Sequence, residues 1–453
     1  MGSAGNMQRT IGLTGAVVTL VGFVIGISIF ILPGTLAAST GPAIVFSYLI
    51  ASCMAIFSCA VSAQVGAVFP VSGASFVSVS RLLSPFWGFA IVWLILGAGS
   101  IAVALLAYGF ADYLQLISPG VGRTTAALLL VAALGGLNLL GARDTVIGQG
   151  LMVAAFMLAL LVFSVAGIYQ MDTKLLTPFM PNGFGPVLSA TIPAFFSFAG
   201  FMVIIEIGGE IKRPARNIPL ALAISFVMVL VVYTIVSLAI VGVVPWQELA
   251  DTKAPVSEAA GRILPAWLAT AITLTAVAAA ASSVNGMLLG YSRDVLALAR
   301  VKVLPDALAK ISERHGEPVN AVLVITGLSF AVILTGGRIA DFATLTVVGL
   351  LIFQIAVGVA VLMLPRKMNA QYKAAEFSLK GWKLPFFSIG LIVFSTLFLI
   401  IVLLDAPQFI LLAAAYFVVG AVYFYLRRNY LGKHGIHMRK LIREEVERIY
   451  DVG

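Results

Sequence analysis

Charge is scarce in this sequence. Asp, Glu, Lys and Arg make up 10% of its 453 residues, where a soluble domain carries about 25%. With 61% of positions hydrophobic, too little polar surface is available to cover the chain, which excludes a water-soluble globule. Histidine is nearly absent: His315, His434 and His437 all fall in polar stretches, and no His-Glu-x-x-His motif occurs. No aspartate is expected in the middle of an apolar stretch either, so a hydrolase working at membrane depth lacks its groups. Cysteine occurs only as Cys53 and Cys59. On a helix these two point about 240° away from each other and sit roughly 9 Å apart along the axis, too far to bridge. The same geometry excludes a zinc site built on the pair, and both are expected as buried free thiols. Long polar segments are missing too. The largest are 244–265, 299–317, 365–383 and the tail from Arg427, and none could bury a core of its own.

What fills the chain is apolar sequence, with a mean hydropathy of +1.07. Runs near the roughly 20 residues needed to cross a bilayer recur from end to end. They predict an all-α polytopic membrane protein with about twelve transmembrane helices, near 11–37, 43–67, 86–113, 124–140, 147–169, 187–207, 218–243, 266–298, 318–335, 339–364, 384–404 and 407–426. Residues 1–10 form an amino-terminal segment, 11–426 one transmembrane domain and 427–453 a basic tail. The opening Met1-Gly2-Ser3-Ala4-Gly5-Asn6 reads as an added leader before a natural start at Met7, and the run from Ile11 is too long for a cleaved signal peptide.

The sign of the charge follows the alternation of spans. With residues 1–10 cytoplasmic, 23 of the 28 basic residues fall on that side, and only Arg123, Lys174, Lys253, Arg262 and Arg338 fall on the other. This positive-inside asymmetry predicts a plasma or inner cell membrane with both termini in the cytoplasm. It also accounts for the net charge of +9 without any nucleic acid. Membrane lipid is the expected partner of the tail, which reads either as solvated or as an amphipathic helix on the inner leaflet.

Two spans are interrupted. The first contains Val24-Ile25-Gly26-Ile27-Ser28-Ile29-Phe30-Ile31-Leu32-Pro33-Gly34, and the sixth Ile192-Pro193-Ala194-Phe195-Phe196-Ser197-Phe198-Ala199-Gly200-Phe201. Interruptions five spans apart point to broken helices near the bilayer midplane, whose free amides take anionic groups and whose free carbonyls take cations. Close packing by small residues is the plain alternative.

Five segments then match one family in order. They are Gly26 to Gly34; Pro70-Val71-Ser72-Gly73-Ala74 with Pro85-Phe86-Trp87-Gly88-Phe89 and Trp93; Asn138-Leu139-Leu140-Gly141-Ala142-Arg143 with Gln149; Gly200-Phe201 with Gly209-Glu210-Ile211-Lys212-Arg213-Pro214-Ala215-Arg216-Asn217-Ile218-Pro219; and Ser292-Arg293-Asp294 through Arg300 with Leu304-Pro305. Over nearly its whole length the chain resembles the amino acid–polyamine–organocation superfamily. The resemblance implies a transporter and not an enzyme. It implies two inverted five-span repeats, about 11–169 and 187–364, with helices 1 and 6 broken, extra helices at about 384–426, and alternating access. An amino acid or related amine is the implied substrate, with no cofactor beyond a coupling ion; whether an accessory subunit is needed stays open. The resemblance seats the substrate carboxylate on the amides of Ile27, Ser28 and Ile29 beside Gly26. It seats the ammonium on carbonyls near Val24, Phe196 and Ala199-Gly200, with the Phe196 ring covering the substrate.

Two positions depart from the family. Ile27-Ser28 stands where Ser-Gly is usual, which moves a hydroxyl by one residue and removes a glycine's freedom. Met202 stands where some cationic-substrate members carry an acid, which favours a small or apolar neutral amino acid; an organic acid or another amine stays open.

For the coupling ion, Phe156 occupies the place of the lysine that proton-coupled relatives often carry. Span eight instead holds Ala279-Ala280-Ala281-Ser282-Ser283. The Ala279 carbonyl and the Ser282 and Ser283 hydroxyls share a helix face. With the Gly22 and Ile25 carbonyls they make five oxygens, which resembles the sodium site of transporters with this fold. The alternative is that the hydroxyls simply bond back to their own helix. Glu206 is the acid expected inside a span, four residues before Glu210 on one helix face, and is the rival, proton-binding candidate. Sodium symport is the first expectation; proton symport through Glu206, ion-independent exchange, and a channel or sensor on the same scaffold are the others. Phe196 is the expected outer gate. Glu210 with Lys212 is the expected inner-gate pair, against simple positive-inside anchoring of Lys212, Arg213 and Arg216. Asp112, Asp341 and Asp405 are expected merely solvated at the outer ends.

Overall fold

A computed structural model describes residues 9–140, 142–252, 254–312 and 316–451. Gly141, Lys253, His315 and the proposed leader lie outside these, as do the side chains of Arg143 and Asp405. Among the described residues the chain is helical between short connections, with only two isolated β-bridges, Ile11 to Ile211 and Ser72 to Ile207.

Glycine and proline set many of the helix ends. Helix α1 (Leu13–Val24) stops just before Gly26, and α2 (Ser28–Thr40) restarts just beyond it and ends at Gly41. After α3 (Ile44–Val68) comes α4 (Ala74–Leu82), entered through the left-handed Gly73. Proline opens α5 (Pro85–Ile117), and Ser84 caps it by accepting from the Trp87 amide at 3.4 Å. Then follow α6 (Arg123–Asn138), α7 (Ala142–Tyr169), α8 (Phe184–Phe196), α9 (Pro214–Val243), α10 (Pro255–Ile263), α11 (Ala266–Arg300), α12 (Val319–Leu334) and α13 (Ile339–Lys367). The chain closes with α14 (Asn369–Ala374), α15 (Lys383–Asp405), α16 (Gln408–Lys433) and α17 (Met438–Asp451).

Nine helical stretches among the described residues are long and apolar enough to cross a membrane; the first, Leu13–Val68, holds two passes, and α6 and α12 are shorter apolar helices. Counted by pass this agrees with the expected architecture. Burial separates the passes into layers. The most apolar window of α5 is 83% buried, against 28% for α15 and 11% for α16, so the last two passes are peripheral and present their apolar side chains outward.

Four expectations change. Cys53 is exposed on α3 while Cys59 is buried: the angular separation that keeps them apart also puts one on the outer face. Asp112 is not merely solvated, because Arg123 grips it with two hydrogen bonds of 2.7 and 2.8 Å; Asp341 is likewise held by Arg338 at 2.8 and 2.9 Å. The tail is folded: α16 runs on to Lys433, and α17 buries Met438 and Ile442 while packing on α4 and α5. Finally, α11 matches the expected span 266–298 to within two residues, but at 35 residues it is about 52 Å long against a hydrocarbon core of about 30 Å, and Arg293 is not among the solvated cytoplasmic bases. Its last third stays inside protein, so Arg293 is no surface anchor and Asp294 is a buried acid within the helix, at 0% and 1% exposure.

Candidate functional site

Gly26 makes the break in the first span. Its φ of +36° lies where side-chain-bearing residues are strained, and a Cβ there would fall 1.6 Å from the Ser283 hydroxyl. The ladder of α1 ends as Ile25 N–H donates to Val21 O at 2.9 Å; that of α2 begins as Ser28 and Phe30 N–H donate to Ile25 O and Ile27 O at 3.2 and 2.9 Å. Among the described residues the amides of Gly26, Ile27 and Ile29 are left with no backbone acceptor. In the sixth span α8 ends at Phe196, and the chain continues as two tighter 3₁₀ segments, Ala199–Ile205 and Gly208–Glu210. Glu206 and Glu210 therefore do not share an α-helical face, which corrects the sequence expectation: each carboxylate turns to its own partners.

Tyr233 of α9 ties the two breaks together. Its hydroxyl lies 2.8 Å from Val24 O, 3.0 Å from Ser197 O and 2.8 Å from Ser28 Oγ, and Ser28 Oγ in turn donates to Ile25 O at 2.8 Å. With one proton to donate, the Tyr233 hydroxyl can serve only one of these acceptors at a time. Tyr233→Phe removes that hub and leaves buried carbonyls short of a donor, so it is expected to lower stability by about 1–3 kcal/mol. A melting curve of the detergent-solubilised variant checks this, and an unchanged melting temperature contradicts it.

Between the breaks lies a cavity of about 50 Å³. Val24, Ser28, Phe196, Ala199 and Gly200 line it, with Ile95, Ala102, Met202 and Leu350 supplying apolar wall. Gly26, Ile27 and Ile29 lie behind that wall, and the side chains of the two isoleucines are fully buried. Glu206, Tyr291 and Asp294 also line it.

The five oxygens proposed for an ion are partly assembled. Ser283 Oγ donates across to span one, to Gly22 O at 3.1 Å and Phe23 O at 3.4 Å, rather than back along its own helix. Ser282 Oγ is buried without a partner and sits against Gly22, whose absent Cβ would lie 2.5 Å from it. Ala279 is buried one turn earlier on α11, and Ile25 O is engaged by Ser28. Beside this cluster runs a buried amide chain: Asn138 donates to Asn285 at 2.7 Å, Asn285 to Gln149 at 3.5 Å, and Gln149 to Thr19 O at 3.3 Å.

The face of the bundle carrying Ile11 is shut. Arg293 pairs with Glu210 at 2.8 Å and with Glu317 at 2.8 Å, all three side chains being buried. Ile11 N–H donates to Glu210 O at 2.9 Å and Ile11 O accepts from Lys212 N–H at 2.8 Å. The partner of Glu210 is thus Arg293 and not Lys212, which is exposed along with Arg213 and Arg216. Sequence reasoning missed Tyr233, Ser75, Arg293, Asp294 and Glu317. A sign for the α11 pair was available: the apolar run Val295–Ala299 continues beyond it, so the helix had not yet left the protein interior.

Comparison with known proteins agrees with this architecture. Residues 9–424 match the family described as amino acid permease. The chain is 28% identical to the branched-chain amino acid permease BcaP of Bacillus subtilis, over 80% of this chain and 82% of that protein. It is 31% identical to an uncharacterized transporter of Mycobacterium tuberculosis, over 70% of this chain and 72% of that one. To the mitochondrial cationic amino acid transporter 3 of Arabidopsis thaliana it is 28% identical over 76% of its own length, and spans 60% of the plant protein. This polytopic membrane chain belongs to the amino acid permease family, within the amino acid–polyamine–organocation superfamily.

Proposed function

We propose that the chain is a secondary carrier that moves a small or apolar neutral amino acid across a cell membrane by alternating access, in symport with a cation. One observation carries the proposal: two interrupted helices meet at a single apolar-walled cavity, and the start of α2 beside it holds amides without acceptors. Such a helix start attracts a carboxylate, while Val24 O and the carbonyls after Phe196 suit an ammonium. Phe196 lines the same cavity and serves as its cover. Breaks five passes apart are what two inverted repeats would give, and the basic asymmetry supports cytoplasmic termini. Met202 in the cavity wall supports a neutral substrate, as does the branched-chain specificity in the name of the B. subtilis relative. The name of the plant relative points instead to cationic substrates.

Sodium at Gly22, Ile25, Ala279, Ser282 and Ser283 is supported by the cross-span bond of Ser283 and the unpartnered hydroxyl of Ser282. A proton at Glu206 is the second reading, favoured by the burial of that acid at the cavity. The test is uptake into proteoliposomes with sodium and proton gradients imposed separately. Saturable uptake of leucine or alanine with counterflow is expected; flux that neither saturates nor shows counterflow would indicate a channel. Ser283→Ala is expected to abolish stimulation by sodium, and an unaltered sodium response would remove Ser283 from the site. Uptake restricted to arginine or lysine would overturn the substrate class.

A further inference from the structure

Sequence reading singles out Glu206 alone, yet the structure gives it a second carboxyl. Asp294 of α11 and Glu206 both line the cavity, are 1% and 4% exposed, and lie close enough for their carboxyls to act on each other. The groups facing the pair come from three elements. From α4, the Ser75 hydroxyl donates to Glu206 Oε1 and the Ser75 amide approaches Oε2 at 3.4 Å. From α11 come Tyr291, beside both acids, and Arg293, which is turned away onto Glu210, Glu317 and the Ser292 hydroxyl. From the sixth span comes Glu210, already committed to Arg293. Among the described residues no ion pair reaches either acid. Asp294 Oδ1 has no hydrogen-bond partner, although it is buried and its residue belongs to the cavity wall.

Two carboxylates in contact, away from water and without a cation, cannot both remain charged. Paired buried carboxyls elsewhere hold one proton in common. We infer that Glu206 and Asp294 form a single proton-carrying site, loaded in this closed arrangement and emptied when the face carrying Ile11 opens. The inference rests on the carrier reading above and adds Asp294 to it.

The structure supplies the element that would switch the site. The segment holding Glu206 is pinned to the 72–75 connection by the Gly73 N–H donating to Glu206 O at 2.9 Å, by the Ser72 to Ile207 bridge and by Ser75. Opening that face separates the segment from 72–75, removes the Ser75 donor and lets water reach both carboxyls. Hydration favours their charged forms, so the shared proton passes to water there. When the cavity opens to the opposite side, the pair takes one proton from water on that side and the cycle closes. Proton affinity then differs between the two access states, which is the condition for coupling.

The experiment uses the full chain in sodium-free proteoliposomes and compares uptake driven by an inward proton gradient with counterflow at equal pH. Wild type is expected to show gradient-driven uptake several-fold above the no-gradient rate. Asp294→Asn and Glu206→Gln are each expected to bring that ratio to one, whatever counterflow rate remains. A ratio retained in either variant, or a wild type with normal counterflow and no response to the gradient, overturns the shared-proton site. A wild type without counterflow would instead remove the carrier reading. If neither variant folds, infrared spectroscopy of the wild type decides: a protonated carboxyl band at neutral pH that shifts in deuterium oxide is expected, and its absence overturns the proposal.

Discussion

Replacing Arg293 with methionine is expected to destabilise the folded protein by about 3–5 kcal/mol, the loss seen when one partner leaves a buried ion pair. Arg293 is among the largest fully buried side chains of the described residues, and its guanidinium is shared between Glu210 and Glu317, both at 2.8 Å. Without it, two buried carboxylates lose their counter-charge, and each must either take up a proton or draw in water. Methionine fills much of the volume, so the loss is electrostatic and not a cavity effect. The melting temperature of the detergent-solubilised variant is the readout, together with the fraction that elutes as a single species. A triple variant, Arg293→Met with Glu210→Gln and Glu317→Gln, removes the stranded charges and is expected to recover most of the loss. A lysine at 293 is expected to fall between, because an ammonium lacks the planar fork that reaches both acids at once. Wild-type melting of Arg293→Met would show that the three groups are not paired as described.

That residue also shows where sequence reading stops. The pass count, the break at Gly26 and the break after Phe196 are all legible, because apolar run length and glycine or proline placement are local signals. Partners across the bundle are not local. Lys212, two residues from Glu210, is the natural candidate for its gate pair, while the actual partner, Arg293, is 83 residues away. Arg293 and Asp294 fall in the last turns of the span expected over 266–298, where charge reads as lying at a cytoplasmic end, whereas that end of α11 is enclosed by protein. Tyr233 is equally hidden: an aromatic in an apolar span reads as packing, and only the fold brings its hydroxyl to Val24 O and Ser197 O. Conversely, Ser282 and Ser283 stand out from their spacing together with the family resemblance, and the structure sets both against the first span beside its break.

Gly26→Ala is expected to reduce transport to background and to lower stability, and the reason is visible atom by atom. A side chain at φ +36° carries a backbone strain of about 1–2 kcal/mol. More severely, the new methyl would lie 1.6 Å from Ser283 Oγ and 2.8 Å from Ser283 Cβ, so α1 and α11 must separate or Ser283 must turn away. Either movement breaks the bonds from Ser283 to Gly22 O and Phe23 O and displaces the ends of both half-helices of the first span. Gly136 offers the contrast within the same protein: it lies in α6 with no atom near its missing Cβ, so Gly136→Ala is expected to be neutral or stabilising by about 0.5–1 kcal/mol. Combining Gly26→Ala with Ser283→Gly removes the collision but keeps the strained φ. The pair should therefore regain part of the stability lost in Gly26→Ala while its counterflow stays impaired. Melting curves and counterflow measured on all four proteins, wild type included, separate these outcomes. Wild-type uptake by Gly26→Ala would mean that the first span can close its break in some other way and that Gly26 does not hold the site open.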